Sequence, residues 1–235
     1  MQFNVVGAGS DPFLHVSLER GEELNCESDS MVSMESNLDL TGELKGGVLG
    51  AIGRKLVNDE SFFTQSIKAT RGPGDVLLSP ELQGDIKILK CSGSTQYNLN
   101  DGAFLACEST IDMSVITQRI DRAMFAGTGG FFITKTSGFG QIAVSGFGSL
   151  FEMEVTPDNP ILVDNNHVVA WDCNLRHDLS VSTNKSKGFL SNLVNSAISG
   201  EGIVCKFTGT GKVVICSRNR SSFLAWILAR LQPRN

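Results

Sequence analysis

Three stretches of the chain carry the same order of apolar and polar positions. Leu18-Glu19-Arg20-Gly21 runs on to Leu24-Asn25-Cys26-Glu27, and Leu99-Asn100-Asp101-Gly102 to Leu105-Ala106-Cys107-Glu108. Val163-Asp164-Asn165-Asn166 leads in the same way to Val169-Ala170-Trp171-Asp172. Each has a matching second half, an apolar pair followed by a Gly-x-Gly turn. These are Phe62-Phe63 with Gly72-Pro73-Gly74, Phe131-Phe132 with Gly138-Phe139-Gly140, and Ile203-Val204 with Gly209-Thr210-Gly211. After each turn the period is two. Val76 and Leu78, Ile142 and Val144, and Val213 and Ile215 are expected on one side, with Asp75, Gln141 and Lys212 on the other, as in half-buried antiparallel strands.

Closing strands are predicted over Asp85 to Leu89 and Leu150 to Val155, with Ser92-Gly93-Ser94 and Pro157-Asp158-Asn159-Pro160 as punctuation. Between the two halves of each copy the spacing predicts a short amphipathic helix: Val48, Leu49, Ile52 and Leu56; Ile116, Ile120 and Met124; and Phe189, Leu190, Leu193, Val194, Ala197 and Ile198. A terminal helix over Ser221 to Leu231 follows, with Ser221 or Ser222 as its cap. The pattern predicts an all-β protein of three β-sandwich or barrel-like modules in a pseudo-threefold arrangement, with short helices in the insertions and at the C-terminus. The modules run 1–92, 93–158 and 159–220, with the helix over 221–235 completing one compact unit.

Composition supports this reading. The chain has 235 residues, 41 % hydrophobic and 19 % charged, enough for a real core. Twenty-five glycines against six prolines suit a turn-rich β protein. The net charge of −5 argues against nucleic acid as a partner. Six cations and no acid follow Glu201, so −11 falls on the residues up to that point. Six cysteines, at 26, 91, 107, 173, 205 and 216, show no zinc-like spacing. The Cys26 and Cys107 slot is filled by Trp171 in the third copy, which treats cysteine as a small buried hydrophobe. Met1 opens onto Phe3-Asn4-Val5-Val6 without a signal-peptide pattern, and the longest apolar run, Phe223 to Ala229, is too short to span a bilayer. The cytosol is the expected compartment, with membrane association as the alternative.

The same marks resemble the mitochondrial-biogenesis family whose name abbreviates altered inheritance of mitochondria (AIM). They are Gly21-Glu22, Gly46-Gly47 leading to Gly72-Pro73-Gly74-Asp75-Val76-Leu77-Leu78, Gly129-Gly130-Phe131-Phe132, Gly200-Glu201-Gly202, Gly209-Thr210-Gly211-Lys212-Val213 and Ser217-Arg218-Asn219. The resemblance covers about Phe3 to Asn219; Phe139 and Thr210 stand where the family pattern leads one to expect proline. It implies a fold similar to the tryptophan RNA-binding attenuator protein, also described as a double-stranded β-helix. It implies no reaction, and the attenuator's tryptophan and RNA sites do not map onto residues here.

Candidate chemistry is thin. Gly7-Ala8-Gly9 resembles the start of a dinucleotide fingerprint, but Pro12 takes the third glycine slot and the next segment is β-like. Thr210-Gly211-Lys212 resembles a phosphate loop, yet Lys206 replaces its first glycine and Val213 its Ser or Thr. His15, His167 and His177 show no ligand spacing, and His177 with Asp172 or Asp178 is the best general-base pairing. Glu27, Glu108 and Asp172 recur, and either converge on a cation or each answer a local backbone N–H. Neither a catalytic set nor a cofactor or metal site is expected. The segment that stands out is the C-terminal one. Phe223, Trp226 and Leu228, with Arg218, Arg220 and Arg230, are the candidate membrane or partner contacts, against packing back onto the third repeat. The expected function is a non-catalytic, homo-oligomeric β scaffold or binding protein. The alternatives are peripheral membrane association through this segment, or RNA binding.

Overall fold

The computed structural model describes residues 1–7, 9, 11–43, 64–118, 131–181 and 203–231. Apolar residues at period two and glycine-rich corners build antiparallel sheets, as the patterning requires. Sheet 1 has the order β1 (Gln2–Val6), β2 (Phe13–Leu18), β7 (Gly74–Leu78), β4 (Met31–Met34). Sheet 2 runs β5 (Leu38–Glu43), β6 (Thr64–Ala69), β3 (Glu23–Glu27), β10 (Phe104–Glu108), β13 (Gly140–Ser145), β8 (Ile86–Cys91). Sheet 3 runs β11 (Ile111–Gln118), β12 (Phe131–Gly138), β9 (Tyr97–Asn100), β16 (Val168–Asp172), β19 (Gly211–Cys216), β14 (Leu150–Val155). Sheet 4 is β15 (Ile161–Asp164), β18 (Ile203–Thr208), β17 (Arg176–Val181). A single α-helix among the described residues, α1 (Arg220–Leu231), ends the chain.

Three apolar cores join the sheets in series. Leu14, Val16 and Val76 of sheet 1 meet Leu24, Ile67 and Ala143 of sheet 2. Cys107, Ile142 and Val144 of sheet 2 meet Leu99, Val169 and Val214 of sheet 3. Trp171 and Val213 of sheet 3 meet Val163, Cys205 and Phe207 of sheet 4. Neighbours along β13 therefore feed different cores. That is why the half-buried pattern expected after the Gly-x-Gly turns is kept on β7, where Asp75 is exposed between buried Gly74 and Val76, but not on β13 or β19. Ala143 and Val214 are buried as fully as the residues beside them, because both faces of these strands are covered.

Several expectations change. Ile116, expected in a helix, lies in β11, paired with Ile133 of β12; the β-branched run Val115-Ile116-Thr117 favours the extended chain. Ile120 and Met124, and the predicted helices over Val48 to Leu56 and Phe189 to Ile198, lie outside the described residues. The closing strands exist as β8 and β14, and they pair with β13 and β19 respectively. Asn219, not Ser221 or Ser222, caps α1: its Oδ1 accepts the Ser222 N–H at 2.9 Å. Gly7 and Gly9, both at positive φ, lie in the link between the antiparallel strands β1 and β2, so no helix N-terminus follows the dinucleotide-like motif.

One close approach fixes how α1 leaves the body. Gly84 bridges Gly148, and a Cβ on Gly84 would lie 1.9 Å from the Gly146 carbonyl oxygen. Gly84→Ala is expected to destabilise the protein by about 3 kcal/mol through this forced displacement. Gly93→Ala, whose Cβ would meet only the Phe139 ring at 3.6 Å, is the control and should change stability by less than about 0.5 kcal/mol. Urea unfolding of the two variants checks the difference.

Candidate functional site

The carboxylates singled out in the sequence do not converge. Glu108 accepts the Gln141 N–H at 3.0 Å, and Asp172 accepts the Lys212 N–H at 2.7 Å, each at the head of the strand that follows a Gly-x-Gly turn. The glycine before each is needed for the approach: a Cβ on Gly140 would lie 3.1 Å from Glu108 Oε2, and one on Gly211 only 2.8 Å from Asp172 Oδ2. The third such bond comes from Glu35, whose Oε2 accepts the Asp75 N–H at 3.3 Å, and not from Glu27. The sequence reading does not single out Glu35, although it directly follows the short strand Met31–Met34, much as Glu108 closes β10. These carboxylates serve backbone donors. Among the described residues no group of three His, Cys, Asp or Glu side chains is placed to hold a metal ion.

The histidines are placed structurally as well. His15 Nε2 lies 3.2 Å from Asp75 Oδ1, and His167 Nδ1 lies 2.8 Å from the Cys216 carbonyl oxygen. His177 packs edge-on to Trp171 with centroids 5.1 Å apart, and burial pulls its pKa below the ordinary value. Burial raises the Cys26 thiol to about 11 and the Cys205 thiol to about 12, and none of the six cysteines is in a disulfide. Neither thiol supplies a thiolate near neutrality.

What stands apart is α1. Its Ala, Leu and Arg content favours a helix, and Arg230 in the last turn suits the dipole. Yet not one of its residues is buried; Trp226 is 54 % exposed, Leu228 61 % and Leu231 72 %. The helix is covered only at its foot, and there by Phe147, which lies within residues 93–158 and not in the third repeat expected to receive it. Phe223 meets the buried Phe147 with centroids 5.2 Å apart, and the Arg218 guanidinium lies 5.6 Å over the same ring. Phe223 also stacks on Trp226 at 6.4 Å and 9°, and Arg230 lies 4.0 Å above the Trp226 ring while donating to the Trp226 carbonyl oxygen at 3.1 Å.

The foot itself is held by three distant segments. Arg218 N–H donates to the Phe147 carbonyl at 3.1 Å and Ser149 N–H to Ser217 Oγ at 2.9 Å. Asp85 N–H donates to the Gly148 carbonyl at 2.8 Å, and Leu150 N–H to Asp85 Oδ2 at 3.0 Å. So of the six predicted contact residues, the structure gathers Phe223, Trp226, Arg218 and Arg230 into one ring-and-guanidinium column on Phe147. Leu228 projects away from it on another face of the helix. Arg220 turns back toward the body: its Nη1 lies 3.3 Å from where a Cβ on Gly102 would sit.

Arg220 there acts on an acidic cavity of about 370 Å³ lined by Glu27, Asp29, Ser30, Ser79 and Glu81. Burial first, then the charges of Glu81 and Asp101, push the Glu27 carboxyl up to about 7, against the opposing pull of Arg220. The folded protein thus holds a proton at Glu27 that the unfolded chain gives up near 4.5, so this group's contribution to stability falls as pH rises from about 5 to about 7. Glu27→Gln, which never ionises, should match wild type in melting temperature at pH 5 and exceed it at pH 8. Differential scanning calorimetry at the two pH values checks the sign.

Residues 3–218 match the mitochondrial biogenesis AIM24 family. An uncharacterised protein of Streptococcus pyogenes serotype M6 is 34 % identical over 241 residues, covering 99 % of this chain and 92 % of that one. A crystal structure of a Streptococcus pyogenes protein superposes with a TM-score of 0.80 at 31 % identity, covering 98 % of this chain and 99 % of the other. On a match that spans nearly its whole length, the chain belongs to the AIM24 family.

Proposed function

We propose that this protein is a non-catalytic binding scaffold that acts by presenting α1 to a partner. The observation that carries the reading is the contrast between a fixed foot and an uncovered shaft. Asn219, Phe147 and the backbone bonds around Gly148 set where the helix starts, while its large apolar side chains face solvent. Uncovered apolar surface on an ordered element is the mark of an interaction site. The chemistry-bearing side chains elsewhere are occupied in holding hairpins and cores: Glu35, Glu108 and Asp172 on backbone donors, His15 on Asp75, and His177 against Trp171.

The scaffold is a triplicated unit in this reading, similar to the attenuator protein's double-stranded β-helix. Support comes from three recurring features. A late strand sits between two earlier ones three times over: β7 between β2 and β4, β13 between β10 and β8, and β19 between β16 and β14. The strand before it does likewise, and a carboxylate meets the hairpin N–H in each case. The scaffold is also homo-oligomeric. The outer strands β11, β14 and β15 expose Ile116, Phe151 and Leu162, and edges unpaired among the described residues that bear apolar side chains favour pairing with another copy.

Two measurements test these statements. Light scattering should give a mass above the 25.3 kDa of one chain, and Phe151→Lys with Leu162→Lys should lower it toward that value. A wild-type mass of one chain at every concentration would remove the oligomer. In detergent-free host extract, the wild type should migrate in a larger assembly than the purified protein, and Trp226→Ser with Leu228→Ser should return it to the purified size. Identical migration of the two would remove the docking role.

A further inference from the structure

We infer that the surface α1 docks on is an anionic lipid bilayer, an assignment that rests on the docking reading above. Breadth comes first. Leu224, Ile227, Leu228 and Leu231 recur at i, i+3, i+4 and i+7, and beside that face stands Trp226, above Phe223 on its Phe147 contact, leaving Ser221, Ser222, Ala225 and Ala229 for the remaining flank. A second helix covers a narrow stripe, whereas a bilayer interface covers whatever is sunk into it.

Charge separates the occupants further. Arg218 and Arg230 are exposed at either end of the apolar shaft, Arg220 stands at its first turn, and no acidic residue follows Glu201. Two copies joined along this helix would bring like charges together. Lipid phosphates give the Arg218 and Arg230 guanidinium groups partners, while Arg220 faces the body. The rest of the chain, at −11, is repelled by the same surface, so contact is limited to the helix and its foot. Trp226, with an apolar ring and a polar N–H, suits the boundary between headgroups and acyl chains. Twelve residues extend about 18 Å, short of the roughly 30 Å hydrocarbon core, so α1 lies in the interface and does not cross it.

The test is flotation of the full chain with vesicles of phosphatidylcholine alone and of phosphatidylcholine mixed with phosphatidylglycerol. Binding to the mixed vesicles is expected, at least tenfold weaker on phosphatidylcholine. Arg218→Gln with Arg230→Gln should weaken it by about tenfold or more, and Trp226→Ser with Leu228→Ser should abolish it. The circular dichroism of the variants should be unchanged, since all four side chains are exposed. Soluble glycerol phosphate should not compete, and Trp226 emission should shift to the blue on mixed vesicles. Absence of binding to the mixed vesicles, equal binding to both kinds, or competition by glycerol phosphate each overturns the lipid assignment. If vesicles fail but the Trp226→Ser, Leu228→Ser variant loses mass in solution, the occupant is a second copy and docking through α1 stands. If that variant matches wild type in flotation, mass and extract migration, both readings fall.

Discussion

Antiparallel pairing of β3 with β10, and of β9 with β16, is the contact on which the rest of the body depends. Cys107 lies opposite Asn25 in the first seam, and Ala170 opposite Leu99 in the second. Each seam fuses two three-stranded pieces into a six-stranded sheet with an apolar core on both faces. Separated, those pieces would expose two more open edges per sheet and half of each core. The first seam also carries a cost. Asn25 is buried there with no hydrogen-bond partner for either amide atom among the described residues, a penalty of about 1–3 kcal/mol per orphaned group. Pairing and burial on either side must offset it.

Strands and corners were the legible part of the fold, because alternation and glycine turns are local signals. β14 matches its predicted span, and β3, β10 and β16 lie where the repeated motifs placed them. What local signals do not carry is which sheet a strand joins. Matching Glu27 to Glu108 by sequence puts β3 in the place of β10, whereas the strand that pairs with β7 is β4 and the acid that meets the hairpin is Glu35. Burial on both faces is likewise a property of the stack, so Ala143 reads as a polar-side residue until a second core is known to lie behind it.

At the candidate site, the residue types were legible and their grouping was not. An apolar run with Trp226 and three arginines marks an unusual segment in any chain that is otherwise acidic. The role of Phe147 was invisible, since it lies 76 residues from Phe223 and its importance comes from the Gly146 and Gly148 corners that bring it beneath the helix. The cap was misassigned for a smaller reason. Serine and asparagine both accept a helix N–H through their side chains, and only the position of the turn chose Asn219.

The foot of α1 draws on strand ends from two different sheets and on a corner between residues 83 and 85, so no single stretch of chain can assemble it. A full-length chain whose body is still unfolded carries the apolar tail but has nothing to orient it. The direction in which α1 leaves the body is therefore set only once strand ends from both sheets and the corner at residues 83–85 are in place together.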